Sequence, residues 1–168
     1  MKQEDAILMA VDKTMVILVL VFACGLLAGI ALTGFLFPQQ VHPTEHVVFT
    51  DKAPQPIGPY SQAVNSGDYV FLSGQVGIDP ATGTITGTAG EQTTRAMENL
   101  RAVLQASGLG FGDVVQTRIY LVNMSDWTTV NGIYSAYFTD NYPARAAVQV
   151  AGLPKGAAVE IEMVAQRR

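Results

Sequence analysis

Cysteine and histidine are nearly absent from this chain of 168 residues, which contains one cysteine, Cys24, and two histidines, His42 and His46. A single thiol cannot form an intramolecular disulfide and supplies no cysteine set for a metal ion. The two histidines are four residues apart, but Pro43 opposes the helix that would place both on one face. The sequence therefore predicts no metal site.

Charge is also scarce, because Asp, Glu, Lys and Arg together make up 14% of the residues and the net charge is −4. Apart from the terminal pair Arg167 and Arg168, the basic residues do not cluster. A protein that binds nucleic acid needs concentrated positive charge to neutralise phosphates. We therefore expect no nucleic-acid partner.

The longest apolar stretch runs from residue 15 to residue 37, contains no charged residue, and reads MVILVLVFACGLLAGIALTGFLF over its 23 residues. A helix of this length would span about 35 Å, which is enough to cross a hydrocarbon core of about 30 Å. A cleaved signal peptide with a Gly29-Ile30-Ala31 site and a lipoprotein acylated at Cys24 are alternatives. The apolar run continues past both positions, and the leader carries three acids against two lysines, so the pattern favours an uncleaved single-pass anchor.

The basic residues around this segment give an expected orientation. Lys2 and Lys13 precede it, whereas the next basic residue after it is Lys52. The positive-inside rule then places the N-terminus in the cytoplasm and the following domain outside. We divide the chain into a leader (1–14), a transmembrane helix (15–37), a linker (38–45) and a folded domain (46–168).

Within the domain, the pattern of apolar residues and turn residues predicts an α+β fold. Short strands are predicted at 46–49, 61–65 and 69–73, with a turn at 66–68 that makes the last two a hairpin. Three- and four-residue spacing predicts a helix over 91–107, capped by a glycine, and a second helix that starts at Ser125 or Asp126 with Trp127, Val130, Ile133 and Tyr137 on one stripe. Further strands are predicted at 114–123, 145–151 and 158–166. Two amphipathic helices are expected to cover one face of a mixed sheet.

The last predicted strand indicates which side chains face the helices. Val159, Ile161 and Met163 alternate with Glu160 and Glu162, so the apolar set is expected to face the helices and the glutamates the opposite, polar face.

The alternation in strand 145–151 predicts that Arg145 lies on the same polar face as the two glutamates. Such a face is either solvated or covered by other subunits.

Five segments in order along residues 46–168 resemble the RidA/YjgF family. They are IGPYSQAV (57–64), FLSGQVGIDPATG (71–83), QTTRAMENLRAVLQASGLGFGDVV (92–115), MSDWTTVN (124–131) and YPARAAVQVAGLPKGAAVEIEMVA (142–165). The resemblance implies a chorismate-mutase-like fold and a homotrimer with a central barrel and a cleft at each subunit interface. It also implies an enzyme without a cofactor that hydrolyses 2-imino acids and enamines, such as 2-iminopropanoate or 2-iminobutanoate, to 2-oxo acids and ammonia. The alternatives are a trimeric module that binds small carboxylates or proteins without catalysis, and a ribonuclease, which the acidic composition disfavours.

Three positions that match the family carry the expected chemistry. Arg145 offers a planar, permanently charged fork for the carboxylate of the substrate. Glu160 is expected to act as a general base or to orient the attacking water, and Tyr60 to line the cleft and donate a hydrogen bond. The alternatives are a surface ion pair for Arg145, a solvated carboxylate for Glu160 and a core position for Tyr60.

Four further positions are expected to contact the substrate by the same resemblance: Ser73, Gly74, Asn131 and Ala147. Gly74 has a β-bulge as its alternative role, and Asn131 a helix-capping one. Family members often carry serine or threonine, then cysteine, after the arginine, whereas this chain has Ala146 and Ala147. The backbone of Ala147 can still contact a ligand, but no hydroxyl or thiol is available at either position.

Overall fold

The structure, a computed structural model, describes residues 46–139 and 141–168. The leader, the predicted membrane helix and the linker lie outside the described residues. None of the helices within the described ranges is long and apolar enough to cross a bilayer. The strands and helices are β1 (Val47–Val48), β2 (Ala63–Ser66), β3 (Tyr69–Val76), α1 (Ala89–Ala106), β4 (Val114–Leu121), α2 (Trp127–Ser135), β5 (Ala144–Gln149) and β6 (Val159–Gln166).

The strands form one six-stranded mixed sheet in the order β1-β2-β3-β6-β4-β5. All neighbours are antiparallel except β4 and β5, which are parallel and joined by a crossover that contains α2. The last strand of the chain therefore lies in the middle of the sheet, between β3 and β4. Both helices pack on one face, as the apolar spacing predicts, and the opposite face is open.

Helix α1 closely matches its prediction, with ends at residues 89 and 106. A capping box starts it: the Thr88 side chain accepts from the Glu91 amide, and the Glu91 carboxylate accepts from the Thr88 amide. Met97, Leu100 and other apolar residues of one stripe are fully buried against the sheet. After the helix, Gly108 adopts a φ of 73°, the left-handed conformation in which glycine commonly ends helices.

Helix α2 begins where predicted, but its buried stripe differs. A short 3₁₀ turn over Met124–Asp126 leads into the helix, and Trp127 remains 41% exposed. The buried side chains are Val130 and Tyr134, four residues apart, and the Tyr134 hydroxyl lies 3.1 Å from Oγ1 of Thr117 on β4. The predicted stripe is therefore wrong at Trp127, and it misses Tyr134, the residue that pairs with the sheet. Its other members, Ile133 and Tyr137, are half-buried, and Tyr137 packs against the main core.

In β6, the alternation matches its prediction, since Val159, Ile161 and Met163 are buried and Glu160 and Glu162 lie on the open face. For β5, the predicted face is wrong. Arg145 is directly opposite Thr117 of β4, a buried residue on the face covered by helices. Residues directly opposite each other in neighbouring strands project to the same face. Arg145 therefore projects to the helix side, opposite to Glu160.

Candidate active site

The predicted site residues, with the exception of Ala147, fall into two clefts on opposite faces of the sheet. We call the cleft on the open face the acid cleft; it has a volume of about 310 Å³. The arginine cleft has a volume of about 400 Å³ and lies beside α2. The acid cleft is lined by Pro54, Gln55, Ile57, Tyr60, Ser73, Gly74, Gln75, Val76, Ile78, Pro154, Glu160 and Glu162. The arginine cleft is lined by Asn131, Tyr134, Ser135, Tyr142, Pro143 and Arg145.

A β-bulge in β3 brings backbone and carboxylate together in the acid cleft. Pairing between β3 and β6 shifts between Leu72 and Gln75, so that Ser73 and Gly74 occupy the space of one residue. A Cβ atom at position 74 would lie only 2.0 Å from Oε1 of Glu160. The absence of a side chain at Gly74 therefore makes room for the Glu160 carboxylate, which rests directly against the bulge.

Ser73 and Tyr60 complete this side of the cleft. The Ser73 hydroxyl donates to the carbonyl oxygen of Ser61 at 2.6 Å, which turns its oxygen lone pairs outward as acceptors. The Tyr60 hydroxyl accepts from the amide of Ile57 at 3.2 Å, which leaves its O–H as a donor. Tyr60 is 45% exposed, so the core position considered as its alternative does not apply.

The electrostatics of the acid cleft favour a carboxylate that can take up a proton. Partial burial, followed by repulsion from the nearby Glu162, raises the pKa of Glu160 above its ordinary value. No hydrogen bond to the Glu160 side chain is found in the part of the chain that the structure describes. Its carboxylate is therefore available to a ligand or a water molecule, rather than being a fully solvated surface group.

Glu162 differs from Glu160 because it is paired. Arg118 of β4 is directly opposite Glu162, and its Nη1 donates to Oε1 of that carboxylate in a short ion pair. Tyr120, also on β4, is directly opposite Glu160. Sequence reasoning missed Arg118 and Tyr120. Their two-residue spacing on a predicted strand is the signal that could have placed them on one face, but the pairing partner of that strand was not known.

In the arginine cleft, the Arg145 guanidinium lies over the ring of Tyr134, with Cζ 4.8 Å from the ring centroid. The side chain is exposed, and it forms no ion pair within residues 46–139 and 141–168. Stacking on an aromatic ring orients the guanidinium while its N–H donors stay free. The surface ion pair considered as its alternative is absent there, and the group is available to bind a carboxylate.

The structure brings only part of the remaining predicted set to these clefts. Asn131 of α2 lines the arginine cleft together with Arg145. Ala147 is partly buried and packs against the main core instead. Ala146, by its register with Arg118, belongs to the open face. Across the described ranges, no group of three His, Cys, Asp or Glu side chains is arranged to hold a metal ion.

Arg145 and Glu160 therefore lie on opposite faces of the sheet, and the prediction that they share one face is wrong. Tyr60, Ser73, Gly74 and Glu160 come together in one cleft, whereas Arg145 and Asn131 belong to another on the other side of the same sheet. The alternation within each strand could not reveal this, because it gives no relation between the faces of two different strands. That relation depends on the register of β4 with both β5 and β6.

Comparisons with known proteins agree with the fold and the motifs. The family model described as Endoribonuclease L-PSP matches residues 50–167. The human 2-iminobutanoate/2-iminopropanoate deaminase is 48% identical over 120 residues, which cover 71% of this chain and 88% of the human protein. Among solved structures, Escherichia coli TdcF with bound serine has a TM-score of 0.72 and 38% identity, covering 74% of this chain and all of TdcF. RidA from an Antarctic Psychrobacter has a TM-score of 0.71 and 43% identity, and the match covers 73% of this chain and 99% of that RidA chain.

The six-stranded mixed sheet, the two helices on one face and the two small clefts define an α+β protein of the RidA type. The chain belongs to the RidA/YjgF family, which the matching family model describes as Endoribonuclease L-PSP.

Proposed function

We propose that the chain is an imine deaminase that hydrolyses 2-imino acids, such as 2-iminopropanoate and 2-iminobutanoate, to 2-oxo acids and ammonia. Relatives from human and Salmonella typhimurium, 48% and 42% identical, are named for this activity. The serine bound in TdcF is a small 2-amino acid that carries the same carboxylate as such substrates. The chain's two clefts offer the groups that this chemistry requires.

The observation that carries the proposal is the placement of the two half-sites on opposite faces of one sheet. A single subunit cannot bring Arg145 and Glu160 to one small substrate, since the sheet separates them. A ring of identical subunits joins different faces of neighbours at each interface. We therefore propose a homotrimer in which the arginine cleft of one subunit meets the acid cleft of the next.

The open face of the sheet supports assembly. Its apolar side chains include Tyr69, Phe71 and Val148, which are between 42% and 49% exposed in the single chain. Phe71 is directly opposite Val64 on one side and Val164 on the other, so these three side chains form a continuous apolar patch across β2, β3 and β6. Contiguous exposed apolar surface commonly marks a protein interface. Burial of this patch between subunits would bring the two kinds of cleft together.

In the assembled site, the roles follow from the chemistry of each group. The Arg145 guanidinium binds the substrate carboxylate through paired hydrogen bonds, and Asn131 lies beside it as a further polar contact. The Glu160 carboxylate accepts a proton from a water molecule while the oxygen of that water attacks the imine carbon. Glu160 then returns this proton to the imine nitrogen, which completes the carbinolamine. In the second step Glu160 takes the hydroxyl proton of the carbinolamine and delivers it to the nitrogen, and the C–N bond breaks to release ammonia and the 2-oxo acid. Tyr60 donates a hydrogen bond and helps to exclude bulk water.

A deamination assay on the full chain tests this function. The imine is generated in situ by an amino-acid oxidase, and its loss is compared with spontaneous hydrolysis. We expect the chain to accelerate imine loss and Arg145→Ala to abolish the acceleration. Arg95→Ala is the control, because Arg95 is an exposed arginine on α1 that pairs with Asp79, and neither residue lines either cleft. If wild-type protein gives no acceleration but binds small carboxylates, the chain is a binding module rather than an enzyme.

We also propose that residues 15–37 anchor the folded domain, 46–168, to a membrane. The apolar run of 23 residues, which contains no charged side chain, supports this. The full chain is then expected in the membrane fraction after high-salt and carbonate washes, and protease treatment of intact spheroplasts reports which side the domain faces. Recovery of the chain in the wash supernatant would contradict anchoring, and protection of the domain would reverse the expected orientation.

A further inference from the structure

Two pairs of side chains form a small charged cluster on the open face of the sheet, at the edge of the acid cleft. The register of β4 and β6 places Arg118 opposite Glu162 and Tyr120 opposite Glu160. Arg118 and Glu162 form an ion pair, whereas Glu160 accepts no hydrogen bond from any residue in the described ranges. Two carboxylates thus line one cleft, and among the described residues Glu162 is paired with a cationic side chain whereas Glu160 is not.

We propose that Arg118 is a positioning residue that fastens Glu162 and leaves Glu160 as the single carboxylate free to act on water. This inference rests on the proposed deaminase function and adds a residue that acts through another. Without Arg118, the Glu162 carboxylate would be free to rotate toward the reacting water, and two competing bases would face one substrate.

The charges around Glu160 give Arg118 a second effect. Repulsion from Glu162 contributes to the raised pKa of Glu160, and the Arg118 guanidinium forms an ion pair with the carboxylate that causes this repulsion. Tyr120, on the adjacent strand, is neutral at ordinary pH because burial and the neighbouring carboxylates raise its pKa further. On the other side, the bulge at Gly74 carries no charge, and of the residues that the structure describes, Tyr60 is the titratable group that lines the cleft there. Arg118 is thus the cation of this cluster.

The Arg118 side chain is expected to contribute little to the stability of the fold. Its side chain is 49% exposed and that of Glu162 is 31% exposed. Ion pairs with this exposure contribute little to folding stability, because water screens them. Loss of the pair is therefore expected to change catalysis more than folding.

The experiment compares the pH dependence of kcat/KM for wild-type full chain, Arg118→Gln, Glu162→Gln and the double variant. The acidic limb of the profile reports ionisation of the general base in the free enzyme. We expect Arg118→Gln to move this limb to higher pH and Glu162→Gln to move it to lower pH. In the Glu162→Gln background, loss of Arg118 should move the limb no further, because the charge through which it acts is gone.

A second measurement reads the same effect without relying on activity. The ¹³C shift of the Glu160 carboxyl, followed by NMR across pH in the full chain, should move its midpoint in the same two directions. If wild-type protein is inactive but the midpoints move, the proposed function fails and the positioning of the carboxylates stands. If wild-type protein is active but neither the limb nor the midpoint responds, only the role of Arg118 is rejected.

Arg95→Gln is the matched control, since the Arg95–Asp79 pair has similar exposure, 47% and 36%, and lies outside the cluster. It should leave the limb and the midpoint in place. The proposal is also overturned if Arg118→Gln chiefly raises KM for the substrate carboxylate with an unmoved limb, because Arg118 would then bind substrate directly. An equal shift in the presence and absence of the Glu162 charge would contradict action through Glu162.

Discussion

Replacement of Gly74 by alanine tests the role of Glu160 with the addition of one carbon atom. The new Cβ would lie 2.0 Å from Oε1 and 2.9 Å from Cδ of Glu160, whereas real Cβ atoms essentially never come closer than 3.0 Å to a heavy atom. The φ of Gly74 is outside the left-handed region, so alanine fits the backbone. The carboxylate must therefore move by about 1 Å or more, and the fold is expected to survive because Glu160 is a flexible side chain.

A displacement of about 1 Å in a catalytic group costs about 10²-fold in rate. This loss corresponds to about 2.7 kcal/mol of transition-state stabilisation. We expect Gly74→Ala to reduce kcat/KM for 2-iminopropanoate by this amount while circular dichroism and oligomer mass remain those of wild type. Gly110→Ala is the control, because a Cβ there has no atom within 4 Å. Activity of a folded Gly74→Ala protein within about threefold of wild type would refute the reasoning, since a displaced base must slow the reaction.

Two further predictions concern stability. A raised pKa means that the folded state favours protonated Glu160, so the stabilising contribution is complete at low pH and is lost as pH rises through the raised pKa. Glu160→Gln should therefore raise the Tm at neutral pH, with the gain shrinking toward zero below the ordinary carboxyl range; a gain that is independent of pH would contradict this. Thr88→Ala removes one half of the capping box of α1 and should lower the free energy of unfolding by about 1 kcal/mol, measured by urea denaturation at fixed protein concentration. An unchanged urea midpoint would show that the cap contributes nothing.

The sequence predicted those parts of the fold that depend on local patterns. Helix α1 has a regular apolar stripe, and a glycine follows its end, so both the element and its extent were readable. The alternation in β6 assigned Glu160 to the open face. This succeeded because the strand alternates regularly, with every second residue, such as Ile161, apolar and buried. Local spacing determines these features, and one chain segment is enough to see them.

The features that the sequence did not reveal depend on contacts between distant segments. The face of Arg145 follows from the register of β5 with β4, and the pairing of Arg118 with Glu162 joins residues 44 apart. In α2, the buried position of Tyr134 depends on the hydroxyl of Thr117 across the core. Side-chain periodicity within one segment carries no information on such registers.

The two alanines after Arg145 have different consequences for the site. Ala147 packs against the core, so a hydroxyl or thiol there would have limited access to a ligand in the arginine cleft. Ala146 is exposed on the open face, where the proposed interface forms. Neither alanine changes the stacking of Arg145 on Tyr134, which positions the guanidinium.

Mixing two inactive variants tests most directly whether each site is shared between subunits. Arg145→Ala and Glu160→Gln chains are unfolded together, refolded in equal amounts and assayed for imine hydrolysis. In a cyclic trimer, every mixed assembly contains one interface with both an intact Arg145 and an intact Glu160, so random assembly predicts about a quarter of wild-type activity. Each variant refolded alone should remain inactive. A mixture that is as inactive as its components would contradict the shared site.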